Sequence, residues 1–185
     1  MFKLSEICEV NKKTADPIKL FRDSEFVYID ISSVENGTGL VDLTNKIAAS
    51  EAPSRARRIV NQNDVLLSTV RPNLKAYAHL DNLPKATLAS TGFAVLSSSE
   101  KVISKYLYYM LFTDDLQNQM ISKMDKGAYP SINQSDVENL VVPVVPKEDQ
   151  ERLVMDMENQ DKIILSNKKL IDMMEKKIEE VLSEI

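Results

Sequence analysis

Glycine, histidine, cysteine and tryptophan are scarce in this chain, and each shortage removes a class of function. The 185 residues include four Gly, one His, one Cys and no Trp. A lone His79 leaves no histidine cluster for a metal and no base to spare for a conventional Ser-His-Asp relay. Set between Ala78 and Leu80, it reads as a structural residue. A lone Cys8 excludes an internal disulfide and a cysteine-rich zinc site, and it fits a reducing cytoplasm. The few glycines form neither a Gly-x-x-x-x-Gly-Lys-Ser/Thr loop nor a Gly-x-Gly-x-x-Gly fingerprint, so no phosphate cradle is indicated. Carboxylates are numerous, yet no acid pair stands in a glycine-rich loop. No apolar run reaches the roughly 18 residues of a membrane span, and the start, Met1-Phe2-Lys3-Leu4-Ser5-Glu6, lacks the apolar stretch of a signal peptide. The expectation is a cytoplasmic chain with no catalytic residues, no metal, no cofactor and no membrane.

Apolar residues make up 43% of the chain, enough for a sizeable core, and 28% charged residues keep it soluble. The net charge of −5 is unfavourable for a nucleic-acid partner, but its distribution matters more than its sum. Residues 141–185 hold seven Lys/Arg against eleven Asp/Glu, whereas the preceding 140 residues hold sixteen against seventeen. Within the near-neutral part, Glu51 to Lys75 carries Arg55, Arg57, Arg58, Arg71 and Lys75 against Glu51 and Asp64. A folded domain can therefore present a basic face although the whole is acidic.

The first 145 residues read as α+β, with short strands alternating with turns. Phe26-Val27-Tyr28-Ile29-Asp30-Ile31 is a β-rich run, followed by the turn chemistry of Asn36-Gly37-Thr38-Gly39. Asp64-Val65-Leu66-Leu67-Ser68-Thr69-Val70 is a second strand, stopped by Arg71-Pro72. Gly92 to Leu96 and Leu140-Val141-Val142 are two more. Between them, apolar residues at threes and fours predict a helix from Val102 to about Met124, with Asp114-Asp115 as a break within it. Its methionines are core filler at helical spacing.

After Val142-Pro143-Val144-Val145-Pro146 the character changes. Glu148, Asp149 and Glu151 place acids in a first helical turn, and no Gly or Pro follows to Ile185. Leu153, Met157, Gln160, Ile164, Asn167, Ile171, Met174, Ile178, Val181 and Ile185 recur at alternating fours and threes, which is a coiled-coil seam. A helix over 148–185 would be roughly 55 Å long. The preceding domain has a radius of gyration of only roughly 14 Å. Either the helix folds back on that domain, or it pairs with a helix from another chain; the length favours pairing. Gln160 and Asn167 within the seam would then fix register. The organisation expected is a domain at 1–145 and a long dimerisation helix at 146–185.

Three basic or polar segments remain. Ser54-Arg55-Ala56-Arg57-Arg58 reads as a loop ahead of a strand, and Arg71-Pro72-Asn73-Leu74-Lys75 follows one. Lys123, Lys126, Gly127, Ala128 and Tyr129 form a third edge. Arginine can read guanine bidentately or hold phosphate, and asparagine can read adenine. Taken singly, such a charged cluster is more often a solvated surface. A coiled-coil module that binds only protein is the rival reading, and an enzyme comes third.

Taken in order, these blocks resemble the specificity subunits of Type I restriction-modification systems. The opening Leu4-Ser5-Glu6-Ile7 and Tyr28-Ile29-Asp30-Ile31 before a Gly turn are similar to that family. So are Ala56-Arg57-Arg58-Ile59-Val60, Asp64 to Pro72, Ser90-Thr91-Gly92-Phe93-Ala94-Val95-Leu96 and the Tyr106-Leu107 helix. Gly127-Ala128-Tyr129-Pro130-Ser131-Ile132, Leu140-Val141-Val142-Pro143 and Glu148-Asp149-Gln150-Glu151 complete the set. The resemblance implies a target-recognition domain and a spacer helix that bind double-stranded DNA without catalysing anything. A modification subunit would carry adenine methylation and its S-adenosylmethionine, and a restriction subunit would join through the complex. One recognition domain and one helix stand here where a full subunit has two of each, so a half subunit acting as a homodimer is expected. DNA contact is assigned by that resemblance to Arg55, Arg57, Arg58, Arg71, Asn73, Lys75, Lys126 and Tyr129.

Overall fold

The structure is a computed structural model that describes residues 1–124 and 130–183. The chain opens with β1 (Phe2–Lys3), α1 (Leu4–Ile7), β2 (Cys8–Val10) and α2 (Pro17–Phe21). Seven strands follow: β3 (Glu25–Ile29), β4 (Lys46–Ala48), β5 (Ala56–Ile59), β6 (Val65–Ser68), β7 (Tyr77–His79), β8 (Thr87–Ser90) and β9 (Phe93–Ser98). Three helices come next, α3 (Ser104–Met110), α4 (Asp114–Lys123) and α5 (Gln134–Glu138), then β10 (Val141–Val142) and α6 (Lys147–Ser183). The class is α+β with a long terminal helix, as the sequence predicts.

Two four-stranded sheets, ordered β2-β9-β6-β7 and β4-β3-β8-β5, are accompanied by a separate two-stranded ribbon, β1-β10. Period-2 alternation explains how the layers stack. On β6, Val65 and Leu67 face a core shared with Leu4, Tyr106, Leu107 and Leu116 of the helices, while Leu66 faces the other sheet. On β3, Val27 and Ile29 meet Leu66, whereas Phe26 and Tyr28 turn outward to a third cluster with Ala56 and Leu88. The sheet holding β6 is thus covered on both faces, which is why Val-Leu-Leu reads as an unbroken apolar run.

Three expectations are corrected. The single helix from Val102 to Met124 is two, because Thr113 caps α4 by accepting from the Leu116 amide at 3.5 Å, and Asp114 and Asp115 occupy its first turn. The first strand run stops at Ile29: the Asp30 carboxylate accepts from the Ser32 and Ser33 amides and caps a 3-10 turn at Ile31–Ser33. Arg57 and Arg58 do not precede a strand but lie in β5, which pairs with β8.

The long helix neither folds back entirely nor stands clear. Gln150, wholly buried, accepts from the Ile103 amide at 2.8 Å and donates to the carbonyls of Val145 at 2.8 Å and Lys101 at 3.2 Å. Farther along, Val154 packs on the core, Glu158 pairs with Lys105, and Asp161 accepts from the Tyr109 hydroxyl at 2.7 Å. Lys168 reaches Glu35 at 2.8 Å. These contacts at threes and fours form one stripe, and among the described residues they end at Lys168. The seam runs beside this stripe and stays largely exposed: Met157 is 42% accessible, Ile164 54% and Ile171 55%. Ile185 lies outside the described residues.

Gln150→Ala is expected to cost about 1–3 kcal/mol, because its loss strands a buried amide and two carbonyls. Thermal or urea unfolding measures this, and an unchanged midpoint would mean that the start of α6 is not part of the domain's core.

Candidate nucleic-acid interface

One edge of the two sheets gathers segments far apart in sequence. The Thr69 amide donates to the Gly92 carbonyl at 2.8 Å and the Thr91 amide to the Arg55 carbonyl at 2.9 Å. These bonds bring the end of β6, the β8–β9 turn and the start of β5 side by side. The Arg71 amide donates to the Pro130 carbonyl at 2.8 Å, beside an isolated bridge between Val70 and Ser131. The Gly37 amide donates to the Lys75 carbonyl at 3.0 Å, which draws the 36–39 turn to the same edge. That turn needs Gly39. Its φ is +73°, and a Cβ there would land on the Tyr108 hydroxyl, which donates to the Thr38 carbonyl at 3.3 Å.

The result is an open groove of about 830 Å³. Arg55 and Arg71 line it together with Ser32, Asn36, Leu74 and Ser131. Both arginines are exposed. Glu35 also reaches the groove, but Lys168 holds its carboxyl below the usual carboxylate range, chiefly through their hydrogen bond, and offsets its charge. A groove with two guanidinium groups, an amide and two hydroxyls can address both phosphates and base edges.

The backbone under Arg71 is unusual. Arg71 (φ 48°) and Lys75 (φ 58°) are both left-handed and bracket a 3-10 turn at Pro72–Leu74. Left-handed non-glycine residues cost on the order of 1–3 kcal/mol and collect at functional sites. Here surrounding bonds impose them: the Lys75 amide donates to the Pro72 carbonyl at 2.9 Å, and the buried Tyr77 hydroxyl donates to the same oxygen. Asn73, exposed, and Lys75, half-buried, flank Leu74.

The other sequence candidates fall elsewhere. Arg57 turns toward α2, with Nη1 3.5 Å from Asp16, and Nε donates to the Ser54 carbonyl at 3.1 Å. Arg58 is half-buried, and burial lowers its pKa. Residues 13–15 extend the sheet beside them, since the Ala15 amide donates to Arg57 O and the Ile59 amide to Lys13 O. Neither arginine lines the groove. Lys126 and Tyr129 lie outside the described residues. Conversely, Ser32, Asn36 and Ser131 line the groove without having been singled out. Only the Asn36-Gly37-Thr38-Gly39 turn carried a signal, and it pointed to backbone geometry rather than to contact.

The remaining reactive side chains are occupied structurally. Cys8 is buried, its thiol donates to the Leu4 carbonyl at 3.1 Å, and burial pushes its pKa up to about 12. His79 is held between Ser104, 2.8 Å from Nε2, and Asp81, 2.9 Å from Nδ1 though outside hydrogen-bond geometry. Its pKa is lowered by burial, which outweighs the pull of Asp81. Among the described residues no helix is long and apolar enough to cross a membrane.

Known proteins resemble this chain in both sequence and fold. It is similar to the HsdS subunit from Thermoanaerobacter tengcongensis, at 32% identity and a TM-score of 0.79 over 91% of this chain and 43% of that one. A chain in a structure of complex assembly and conformational transition of the type I R-M system gives 31% identity and the same TM-score. The S subunit from M. genitalium shares the fold alone, with 13% identity and a TM-score of 0.54. The specificity subunit of the type I restriction enzyme HindI from Haemophilus influenzae is 24% identical over 132 residues, 69% of this chain and 28% of that protein. The chain thus spans less than half the length of each of these relatives. The sequence profile of the Type I restriction modification DNA specificity domain matches residues 1–176, and the chain belongs to that family.

Proposed function

We propose that the chain reads one half of a split DNA site and directs adenine methylation there by a modification subunit, with restriction supplied by a further subunit of the same system. As a specificity domain the chain is a recognition module and not a catalyst; the methyl donor, S-adenosylmethionine, belongs to the modification subunit. The observation that carries the reading is the groove that gathers Arg55, Arg71 and Asn36 from both sheets in a chain of this family. Assembly with partner subunits is supported by likeness to a chain from a structure of type I complex assembly. Two copies pair through the exposed α6 seam, Leu153 to Val181 and on to Ile185, so the complex addresses an inverted repeat with a gap. The complex works in the cytoplasm, where its DNA is.

Selection from a random duplex library tests this, using the chain reconstituted with the modification subunit. Enrichment of a gapped inverted repeat is expected. A stable complex that enriches no sequence contradicts the recognition role, and an asymmetric gapped site contradicts only the pairing of identical copies. The acidic chain alone supplies few phosphate contacts and should bind DNA weakly.

A further inference from the structure

Residues 33–42 fold back on themselves, held by an isolated bridge between Val34 and Val41 and by the Asp42 amide, which donates to the Ser33 carbonyl at 2.8 Å. The tip of this hairpin has two sides. On one, Glu35 and Asn36 line the groove. On the other, Gly37, Thr38 and Leu40 border a cleft of about 410 Å³ between the domain and α6. Leu40 is 47% exposed there, so side-chain packing supports the tip only weakly from behind. Polar bonds hold it instead. The Tyr108 hydroxyl donates to the Thr38 carbonyl at 3.3 Å, and the Gly37 amide donates to the Lys75 carbonyl at 3.0 Å. From α6, the Lys168 ammonium donates to the Glu35 carboxylate at 2.8 Å.

We propose that Lys168 is a positioning residue for DNA reading: through Glu35 it sets where the adjacent Asn36 stands in the groove. This rests on the reading of that groove as the DNA interface. Asn36 is exposed, and its amide suits the N6 and N7 atoms of adenine. That pairing needs two hydrogen bonds at once, each within about 2.7–3.2 Å, so a small displacement of the tip loses it. Gly37 is tied to Lys75, which closes the same 3-10 turn that Arg71 opens. With Glu35 also held, Asn36 has a set place relative to Arg71.

Neutralising Glu35 is a separate consequence of the same pair, and it has a different signature. An unpaired carboxylate in the groove repels the phosphates of every duplex alike, so it changes affinity but not the ratio between two sequences. Displacing Asn36 changes that ratio at one base pair. The side chains of Lys168 and Glu35 are 42% and 50% exposed, and an exposed ion pair adds little to stability. Breaking it therefore spares the fold.

The test uses the chain reconstituted with the modification subunit, on the site it selects, in competition titrations over single-base variants. Asn36→Ala first marks the base pair that Asn36 reads. Lys168→Glu is expected to reduce discrimination at that same pair by roughly 2- to 30-fold, with the ratios at other pairs unchanged. Adding Glu35→Lys to Lys168→Glu reverses the ion pair and should restore most of that discrimination, which a general disturbance of the helix would not allow. A Lys168→Glu complex that keeps its discrimination, or loses affinity equally for all sequences, would overturn the proposal. So would a reversed pair that restores nothing, or an Asn36→Ala complex with unaltered preferences on a site that the unchanged chain selects. An unchanged chain that selects no site would overturn the recognition reading itself, and this proposal with it.

Discussion

If two copies pair as proposed, replacing Ile171 and Ile178 with glutamate is expected to leave a monomer while the melting temperature of its domain stays unchanged. Both side chains are more than half exposed and lie beyond Lys168, the last residue of α6 seen to bond the domain. A single folded chain therefore loses nothing by the change. In a two-fold pair the same change puts four carboxylates into an apolar seam, each costing several kcal/mol without a partner. A micromolar dimer is held by only about 8 kcal/mol, so association should be lost. Sedimentation equilibrium reads the mass and calorimetry the domain. A persistent dimer would place the interface elsewhere, and a lowered melting temperature would mean that the outer half of α6 supports its own domain.

The second large effect is at the groove. Arg71→Ala in the assembled complex should weaken binding by about 1–3 kcal/mol, roughly 5- to 150-fold, against one base pair of the site. Discrimination at the other base pairs is expected to stay unchanged. Strand β6 delivers Arg71 to the edge, and the Pro130 carbonyl and Pro72 fix its backbone, so its guanidinium starts from a set point. Arg55 leads into β5 from an exposed position. As a phosphate contact, its removal should weaken all sequences alike and reduce the salt slope by about one. Competition titrations over a panel of single-base variants at several salt concentrations separate the two roles. Uniform loss on removing Arg71 would place base reading elsewhere in the groove.

Residues that meet apolar neighbours on both sides were legible in the sequence. β3, β6 and β9 could be read because Val27, Ile29, Leu66, Phe93 and Val95 serve one interior, and their alternates another. The α6 seam was equally plain, since thirty-seven residues run without a breaker. β5 was hidden because Arg57-Arg58 reads as a loop, and strand pairing, not side-chain polarity, decides it. The split between α3 and α4 was half legible: Asp114-Asp115 marked it, but periodicity carries through Leu111, Leu116 and Met120, all buried in one core. The groove itself was the least legible part. Ser32, Asn36, Arg55, Arg71 and Ser131 come from four separate turns, and hydrogen bonds between distant strands, such as Thr91 to Arg55, bring them together. Local pattern contains no record of such pairings.

The central claim, that this chain chooses where methyl groups are placed, is tested most directly by mapping adenine methylation in host DNA. The chain is co-expressed with the modification subunit, and a catalytically inactive modification subunit is the control. New methylation at a gapped, inverted-repeat motif is the expected result. No new methylation, with both proteins soluble and associated, would contradict it.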